Sequence, residues 1–308
     1  MATLGNYFID APTLAGATAV FTDADMTILA PDGFYSDGTT VREQIGGLLS
    51  ISVVCPSCVL PCGTGVNATG NAGVYELSFS AGSNVGCTII YFEPFSIPDA
   101  IRVQYNGATF NELTSPSFGY LASSASPNNY TFIGDTADDC GIAAQLAGGG
   151  YSGLNQYVWN GASFDLIGTG GTVTGAAGDV QLTAADPLFS TLYVPKNNVT
   201  PEIMTVEMVG VCGSTAFNVE INCPVQLTGV PTSLLGGACV DELPNTYYNV
   251  PNRGGTAGEP ALREFFVQDP FGNSRVSAGP YVINPPSGKK EITVDVNGVI
   301  TSISSCPP

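Results

Sequence analysis

Apolar and polar positions along this chain follow a period of two far more often than a period of 3.6. In VYELSFS (74–80), Val74, Leu77 and Phe79 stand among polar neighbours. Similar runs follow: CTIIYFEPF (87–95), AIRVQY (100–105), STLYVP (190–195), IMTVEMVGV (203–211), FNVEINC (217–223) and EITVDVNGVITSIS (291–304). They are short, rich in Val, Ile, Tyr, Phe and Thr, and bounded by Gly, Pro, Asn or Asp, which is the pattern of antiparallel strands joined by tight turns. Helical signals are weak. AADPLFSTL (184–192) and DDCGIAAQLAG (138–148) have room for one or two turns each.

Three Asn-Gly pairs, Asn106-Gly107, Asn160-Gly161 and Asn297-Gly298, sit between strand-like runs. Both residue types tolerate positive φ, so each pair predicts a two-residue type I′ hairpin. The predicted fold class is all-β: an antiparallel β-sandwich central domain flanked by two similar small β modules.

The flanking modules come from an internal match. GGLLSISVVCP (46–56) and NGVITSISSCP (297–307) both place a glycine, Gly47 or Gly298, eight residues before a Cys-Pro pair. Upstream, Gly33 precedes Tyr35 by two positions, as Gly279 precedes Tyr281. Phe21 and Phe266 lie 12 and 13 residues before those glycines, each ahead of an Asp-containing turn. About 40 residues match, which reads as a repeat of one supersecondary unit. FNVEINCP closes at Cys223-Pro224 in the same way, and proline ends a ladder because it has no amide hydrogen. The predicted organisation is an N-terminal module over 1–56, a central domain over 57–224, and a Gly/Pro-rich linker with a second module over 225–308. Such small modules bury too little apolar surface to stand alone and call for a partner.

Composition narrows the function. The chain has 308 residues, 38 Gly and 22 Pro, and only 11% charged residues. Its net charge is −18, with no Lys or Arg between Arg102 and Lys196. A chain this acidic repels phosphate backbones and anionic lipid, so nucleic acid is not an expected partner. No stretch approaches the 18 or more consecutive apolar residues of a membrane span, so membrane insertion is not expected either. The first 21 residues lack a basic residue and an uninterrupted apolar core, so the expectation is folding in a cytoplasm without a secretory signal.

Histidine is absent, which removes the commonest general base and all His-ligated metal chemistry. Neither a phosphate-binding G-x-x-x-x-G-K-[ST] loop nor a dinucleotide fingerprint occurs, and LAGGGYSGL (146–154) reads as a loop. The carboxylate pairs Asp23 with Asp25 and Asp138 with Asp139 are what acidic turns produce in a chain with 26 carboxylates. The chain is read as a non-enzyme that needs no cofactor. In GDTADDCG (134–141), Asp135, Asp138 and Asp139 are candidate calcium ligands, although a solvated acidic loop explains them too. The nine cysteines include CPSCVLPC, where Cys55, Cys58 and Cys62 are either metal ligands or buried thiols; with an odd count and no export signal, most or all thiols are expected free. Trp159, the only tryptophan, with Tyr157 and Tyr151, is the candidate ligand-binding set. Cross-strand packing within its own hairpin competes with that role.

The Gly-x-Tyr stretch followed by ITVDVNGVITSISSC, and the block GVYELSFSAGSNVG…IIYFEPFSIPDAIRVQYNG, resemble segments of tail or fibre proteins of tailed bacteriophages. The resemblance covers about half the chain and transfers no catalytic residue. It implies a β-rich virion structural protein (tail, fibre, adaptor or fibre-like head component), assembled in the host cytoplasm as a homo-oligomer with other virion proteins. Two alternatives remain: a receptor- or carbohydrate-binding module facing a host surface receptor, and a secreted or cell-surface adhesin.

Overall fold

The structure is a computed structural model that describes residues 5–37, 40–50, 53–54, 59–70, 73–95, 99–114, 119–123, 130–134, 154–159, 164–171, 180–183, 189–210, 215–233, 239 and 242–306. Among the described residues there are 26 strands and no helix. The protein is all-β. The helical signal at 138–148 lies outside the described residues, and AADPLFSTL ends inside a strand.

The N-terminal region holds β1 (Phe8–Ile9), β2 (Val20–Phe21), β3 (Gly33–Ser36), β4 (Thr40–Ile45), β5 (Leu48–Leu49) and β6 (Val53–Val54). The central region holds β7 (Leu60–Pro61), β8 (Thr64–Gly70), β9 (Gly73–Ser80), β10 (Gly86–Glu93), β11 (Asp99–Tyr105), β12 (Ala108–Phe110), β13 (Gly119–Ser123) and β14 (Tyr130–Gly134). It continues with β15 (Leu154–Trp159), β16 (Phe164–Gly171), β17 (Val180–Thr183), β18 (Ser190–Lys196), β19 (Ile203–Gly210) and β20 (Thr215–Ile221). The C-terminal region holds β21 (Gly229–Ser233), β22 (Asn245–Val250), β23 (Phe265–Val267), β24 (Gly279–Ile283), β25 (Lys290–Val294) and β26 (Ile300–Ser305). Strands of each region form sheets only with one another.

In the central region a four-stranded sheet, β18-β10-β20-β8, faces a larger sheet ordered β16-β15-β14-β13-β17-β11-β19-β9-β7, with β12 on β11. Every ladder in the two is antiparallel except the short β7–β9 pair. One core joins them: Phe79 from β9, Ile90 and Phe92 from β10, Ile101 and Val103 from β11, Val206 from β19, and Phe217 and Val219 from β20. Period-two alternation puts these side chains on the facing surfaces. The Asn106-Gly107 hairpin forms as predicted. Both residues have positive φ, 49° and 78°, and Tyr105 pairs with Ala108.

β10 departs from simple alternation. Ile90 and Phe92 point into the sandwich, while Cys87, Ile89 and Tyr91 point away from it into a second core with Tyr193, Leu227, Val250, Phe265, Val267 and Val299. The six-stranded C-terminal sheet, β23-β22-β21-β24-β25-β26, therefore packs on the back of β18 and β10. A strand covered on both faces needs an apolar run rather than an alternating one, which is why CTIIYFE is nearly continuous. The far side of the C-terminal sheet has its own core of Val230, Phe266, Tyr281, Ile292 and Ile300.

Two expectations are corrected. Asn297-Gly298 is not a two-residue type I′ turn. Asp295 accepts the amides of Asn297 and Val299 at 2.8 and 2.9 Å, its own amide bonds Val299 O, and the ladder carries a bulge at Thr293/Val294. The aspartate lengthens the turn by capturing amides that a two-residue turn would leave to the strands. Among the described residues the cysteines are not mostly free. Cys62 is bonded to Cys223 and Cys239 to Cys306, and the one free cysteine among the described residues is the buried Cys87. An odd total excludes only complete pairing; strand ends far apart in sequence meet here, with 4.8 Å between the Cα atoms of Cys62 and Cys223.

Candidate functional site

The N-terminal region and residues 264–305 repeat one structure in hydrogen-bonding detail. Val20 and Phe266, Asp23 and Asp269, Gly33 and Gly279, and Tyr35 and Tyr281 are pairs at one constant offset in the sequence. Thr22 N–H donates to Ile28 O as Gln268 N–H donates to Ser274 O, at 2.9 and 2.8 Å. Ala30 donates to Val20 as Val276 donates to Phe266. Asp23 accepts the amides of Thr27 and Ile28, and Asp269 those of Asn273 and Ser274. Tyr35 and Tyr281 each donate their hydroxyl to the carbonyl four residues earlier, Pro31 and Ser277. Leu49 N–H bonds Thr18 O, and Ile300 N–H bonds Glu264 O, both at 2.9 Å.

This register pairs Phe266 with Val20, and Val267 with Phe21; Phe21 and Phe266, matched in the sequence, are not equivalent. The isolated bridges Phe21↔Leu29 and Val267↔Arg275 fix the assignment. Gly47 and Gly298 do correspond. A Cβ on Gly47 would come within 2.6 Å of Leu29, and one on Gly298 within 2.8 Å of Arg275, so each copy needs glycine where the chain crosses that side chain.

The two copies diverge in what covers them. In the C-terminal copy, Val267, Gly272, Arg275 and Val299 form the face that docks on β18 and β10. Arg275 lies 4.6 Å from the Phe265 ring centroid, pairs with Glu112, and is pushed down to about 10 by burial. Gly272 lies against the Tyr193 ring. The equivalent residues of the N-terminal copy are Phe21, Met26, Leu29 and Leu48. Leu29 is 49% exposed and Leu48 69%, against 7% for Val299. Ile28 and Ile45 are exposed beside them. Leu29 lies against Gly47, and Ile45 pairs with Leu48 across the β4–β5 turn. Large exposed apolar residues gathered in one module mark interaction surfaces.

Inside, the N-terminal copy compensates for a thinner core with polar groups. Arg42 stands where Ile292 stands and donates to the carbonyls of Leu14, Ala17, Leu49 and Ser50. Gln44 stands where Val294 stands, exchanges hydrogen bonds with the Val20 backbone, and donates to Ala30 O. Asp23, one of the paired carboxylates, is held low chiefly by the Thr27 hydroxyl and serves as a turn cap.

The sequence candidates fall elsewhere. Tyr157 and Trp159 lie on β15, where the backbone register sets Tyr157 between Phe132 and Leu166, and Trp159 opposite Phe164. Tyr151, Asp135, Asp138, Asp139, Asn160-Gly161, Cys55 and Cys58 lie outside the described residues. Cys62 is in a disulfide and leaves any metal set built on CPSCVLPC. Among the described residues no group of three acidic or cysteine side chains is placed to hold a metal ion, and no helix is long and apolar enough to cross a membrane. The exposed apolar face was not found from the sequence; the only signal for it was Met26, Ile28 and Leu29 in a segment that its partner copy writes as Gly272, Ser274 and Arg275.

Comparison with protein-family models, with curated proteins and with solved structures finds no significant match.

Proposed function

We propose that this chain is a non-enzymatic subunit of a larger protein assembly, a structural component of a tailed-phage virion. Its N-terminal module docks on a neighbouring copy much as its C-terminal module docks on its own central sheet. The carrying observation is the apolar face of Leu29, Leu48 and Met26, exposed in one repeat while its equivalent is buried in the other. The low charge density reduces the cost of desolvating that contact. The place in a virion rests on the sequence resemblance alone.

A second reading, a secreted or cell-surface adhesin, is favoured by the disulfides Cys62–Cys223 and Cys239–Cys306, since such bonds persist in oxidising surroundings. Sedimentation velocity and negative-stain electron microscopy of the purified full chain test the first reading. Ordered multimers are expected, burying more than about 1,000 Å² at each contact. A chain that remains monomeric at high concentration and forms no ordered particle overturns it in favour of the adhesin.

A further inference from the structure

The two sheets of the sandwich meet at one buried polar pair. Asp99 opens β11 in the larger sheet, Thr215 opens β20 in the four-stranded sheet, and both are fully buried. Thr215 Oγ1 lies 2.6 Å from Asp99 Oδ1 and 2.7 Å from Asp99 Oδ2. Alternation along β11 puts Asp99 on the same face as the core residues Ile101 and Val103. A glycine allows the close approach: a Cβ on Gly210, the ladder partner of Asp99 on β19, would lie 2.5 Å from the Thr215 methyl.

Among the described residues no cation faces this carboxyl. The other charged residues of β9, β11 and β19 are Glu76, Arg102 and Glu207, which meet across the ladders on the opposite face of the sheet. On β20 the one charged residue, Glu220, alternates away from the core, and β17 carries none. The titratable neighbour on the inner face is Tyr75 of β9, whose hydroxyl burial pushes up to about 12. The segments next to the pair in the sequence, 94–98 and 211–214, contain no Lys or Arg. The hydrogens available then decide the state of the pair. The threonine hydroxyl has one hydrogen to donate. An ionised carboxylate would divide it between two oxygens and keep a buried charge without a counter-ion, which costs far more than a buried neutral group. A neutral acid gives each short contact its own hydrogen: the acid O–H donates to Oγ1, and the threonine O–H donates to the carboxyl C=O. Burial acts in the same direction, raising Asp99 well above the ordinary aspartate range against the opposing pull of the Thr215 hydroxyl.

We infer that Asp99 stays protonated in the folded chain at neutral pH, and that Asp99 and Thr215 form a proton-dependent clasp between the two sheets. The clasp secures one end of β20. The disulfide Cys62–Cys223 secures the other, since Cys223 follows β20 and the Cys62 amide bonds Ser80 O at the end of β9. Loss of the proton leaves one hydrogen bond and an uncompensated buried charge. Alkaline pH therefore releases β20 at Thr215, while the disulfide holds it at Cys223. The clasp is internal to the central domain and stands or falls separately from the assembly reading.

Asp99→Asn supplies the test, because the amide offers a donor and an acceptor and has no proton to lose. Denaturant titrations of the full chain between pH 5 and 9 compare parent and variant. An aspartate in the unfolded chain ionises at about 3.9. Because the folded value is the higher one, the contribution of Asp99 is full below that pH and is lost as pH rises, until Asp99 ionises in the fold as well. The folding constant of Asp99→Asn relative to the parent should therefore grow about tenfold per pH unit and continue to grow through pH 7. A ratio that stays constant, or that levels off below pH 7, overturns the inference. Thr215→Val keeps the shape and removes the hydroxyl, so hydrogen exchange at residues 99–101 and 215–217 should be faster than in the parent; unchanged exchange there overturns the clasp. Infrared spectroscopy covers an Asp99→Asn chain that does not fold. In Glu264→Gln, which removes the raised carboxyl of Glu264, the C=O stretch of a protonated carboxylic acid should persist at pH 7, and its absence overturns the inference too.

Discussion

Leu48 and Val299 occupy equivalent positions in the two repeats, yet one faces solvent and the other the central sheet. The paired substitutions Leu48→Asp and Val299→Asp therefore separate folding from assembly. Val299 is packed with Val267, Phe265 and Ile89. Replacing it removes about 1.5–2 kcal/mol of apolar burial and places a carboxylate in a largely buried apolar site, a further cost of several kcal/mol. The total is at least about 3 kcal/mol, or about 6–12 °C in Tm for a unit of this size. Leu48, 69% exposed, should change monomer stability by less than about 0.5 kcal/mol. Denaturant titration followed by circular dichroism measures stability, and sedimentation velocity measures association. Val299→Asp should shift the unfolding midpoint; Leu48→Asp should leave it in place and dissolve the multimers. If Leu48→Asp melts as early as Val299→Asp, its face is covered within its own chain. If it leaves the multimers intact, that face is not the contact.

Reducing Cys62–Cys223 opens a loop of 161 residues' separation, which chain entropy values at about 5 kcal/mol, so a loss of about 2–5 kcal/mol is expected in denaturant titrations; an unchanged midpoint under reductant would sink the estimate. Arg102 and Glu207 form an ion pair on β11 and β19 with side chains 3% and 0% exposed. Arg102→Met alone should cost about 3–5 kcal/mol, while Arg102→Met with Glu207→Leu should recover most of it; strictly additive losses in the double-mutant cycle count against the pairing. Burial raises Glu264 from its ordinary 4.5 to about 7, against hydrogen bonds from Asn249, Asn252 and Ala261. Because the folded value is the higher one, its contribution is full below pH 4.5 and is lost as pH rises through 7, about 3 kcal/mol in all. Unfolding curves between pH 4.5 and 8 should fall along this window in the parent chain and run flatter in Glu264→Gln; parallel slopes would refute the assignment.

The parts of the fold legible in the sequence were those set by local chemistry. VYELSFS alternates because β9 has one face on the sandwich core, and Asn106-Gly107 turns because both residues take positive φ. The repeat was legible through Gly33, Tyr35, Gly47 and their partners, which answer to turns and a close crossing rather than to packing. What escaped is set by contacts between distant segments. The apolar run of β10 reveals that it is buried but not that a second sheet lies on its back. Cysteine spacing cannot name partners, so Cys62 and Cys223 were unpaired on paper. The offset of one between Phe21 and Phe266 arose because bulky residues were matched by type, whereas the aspartate-capped turns hold the register. The exposed apolar face was hidden for the same reason. Leu29 and Arg275 share a backbone position but not a chemistry, and only the structure shows that one face is covered and the other bare.

The bond between Cys62 and Cys223 also governs how the molecule carries load. It joins the point where the chain enters the central domain to the point where it leaves, so nearly all of that domain lies inside a covalent loop. Tension applied between the terminal modules has a covalent path from Cys62 directly to Cys223 and on into β21 that bypasses the backbone of the strands between them. With Cys239 tied to Cys306, the last strand of the C-terminal sheet is likewise fastened near its start. In the oxidised chain the covalent path between the two terminal modules is short, and the sandwich's backbone hangs from it as a closed loop.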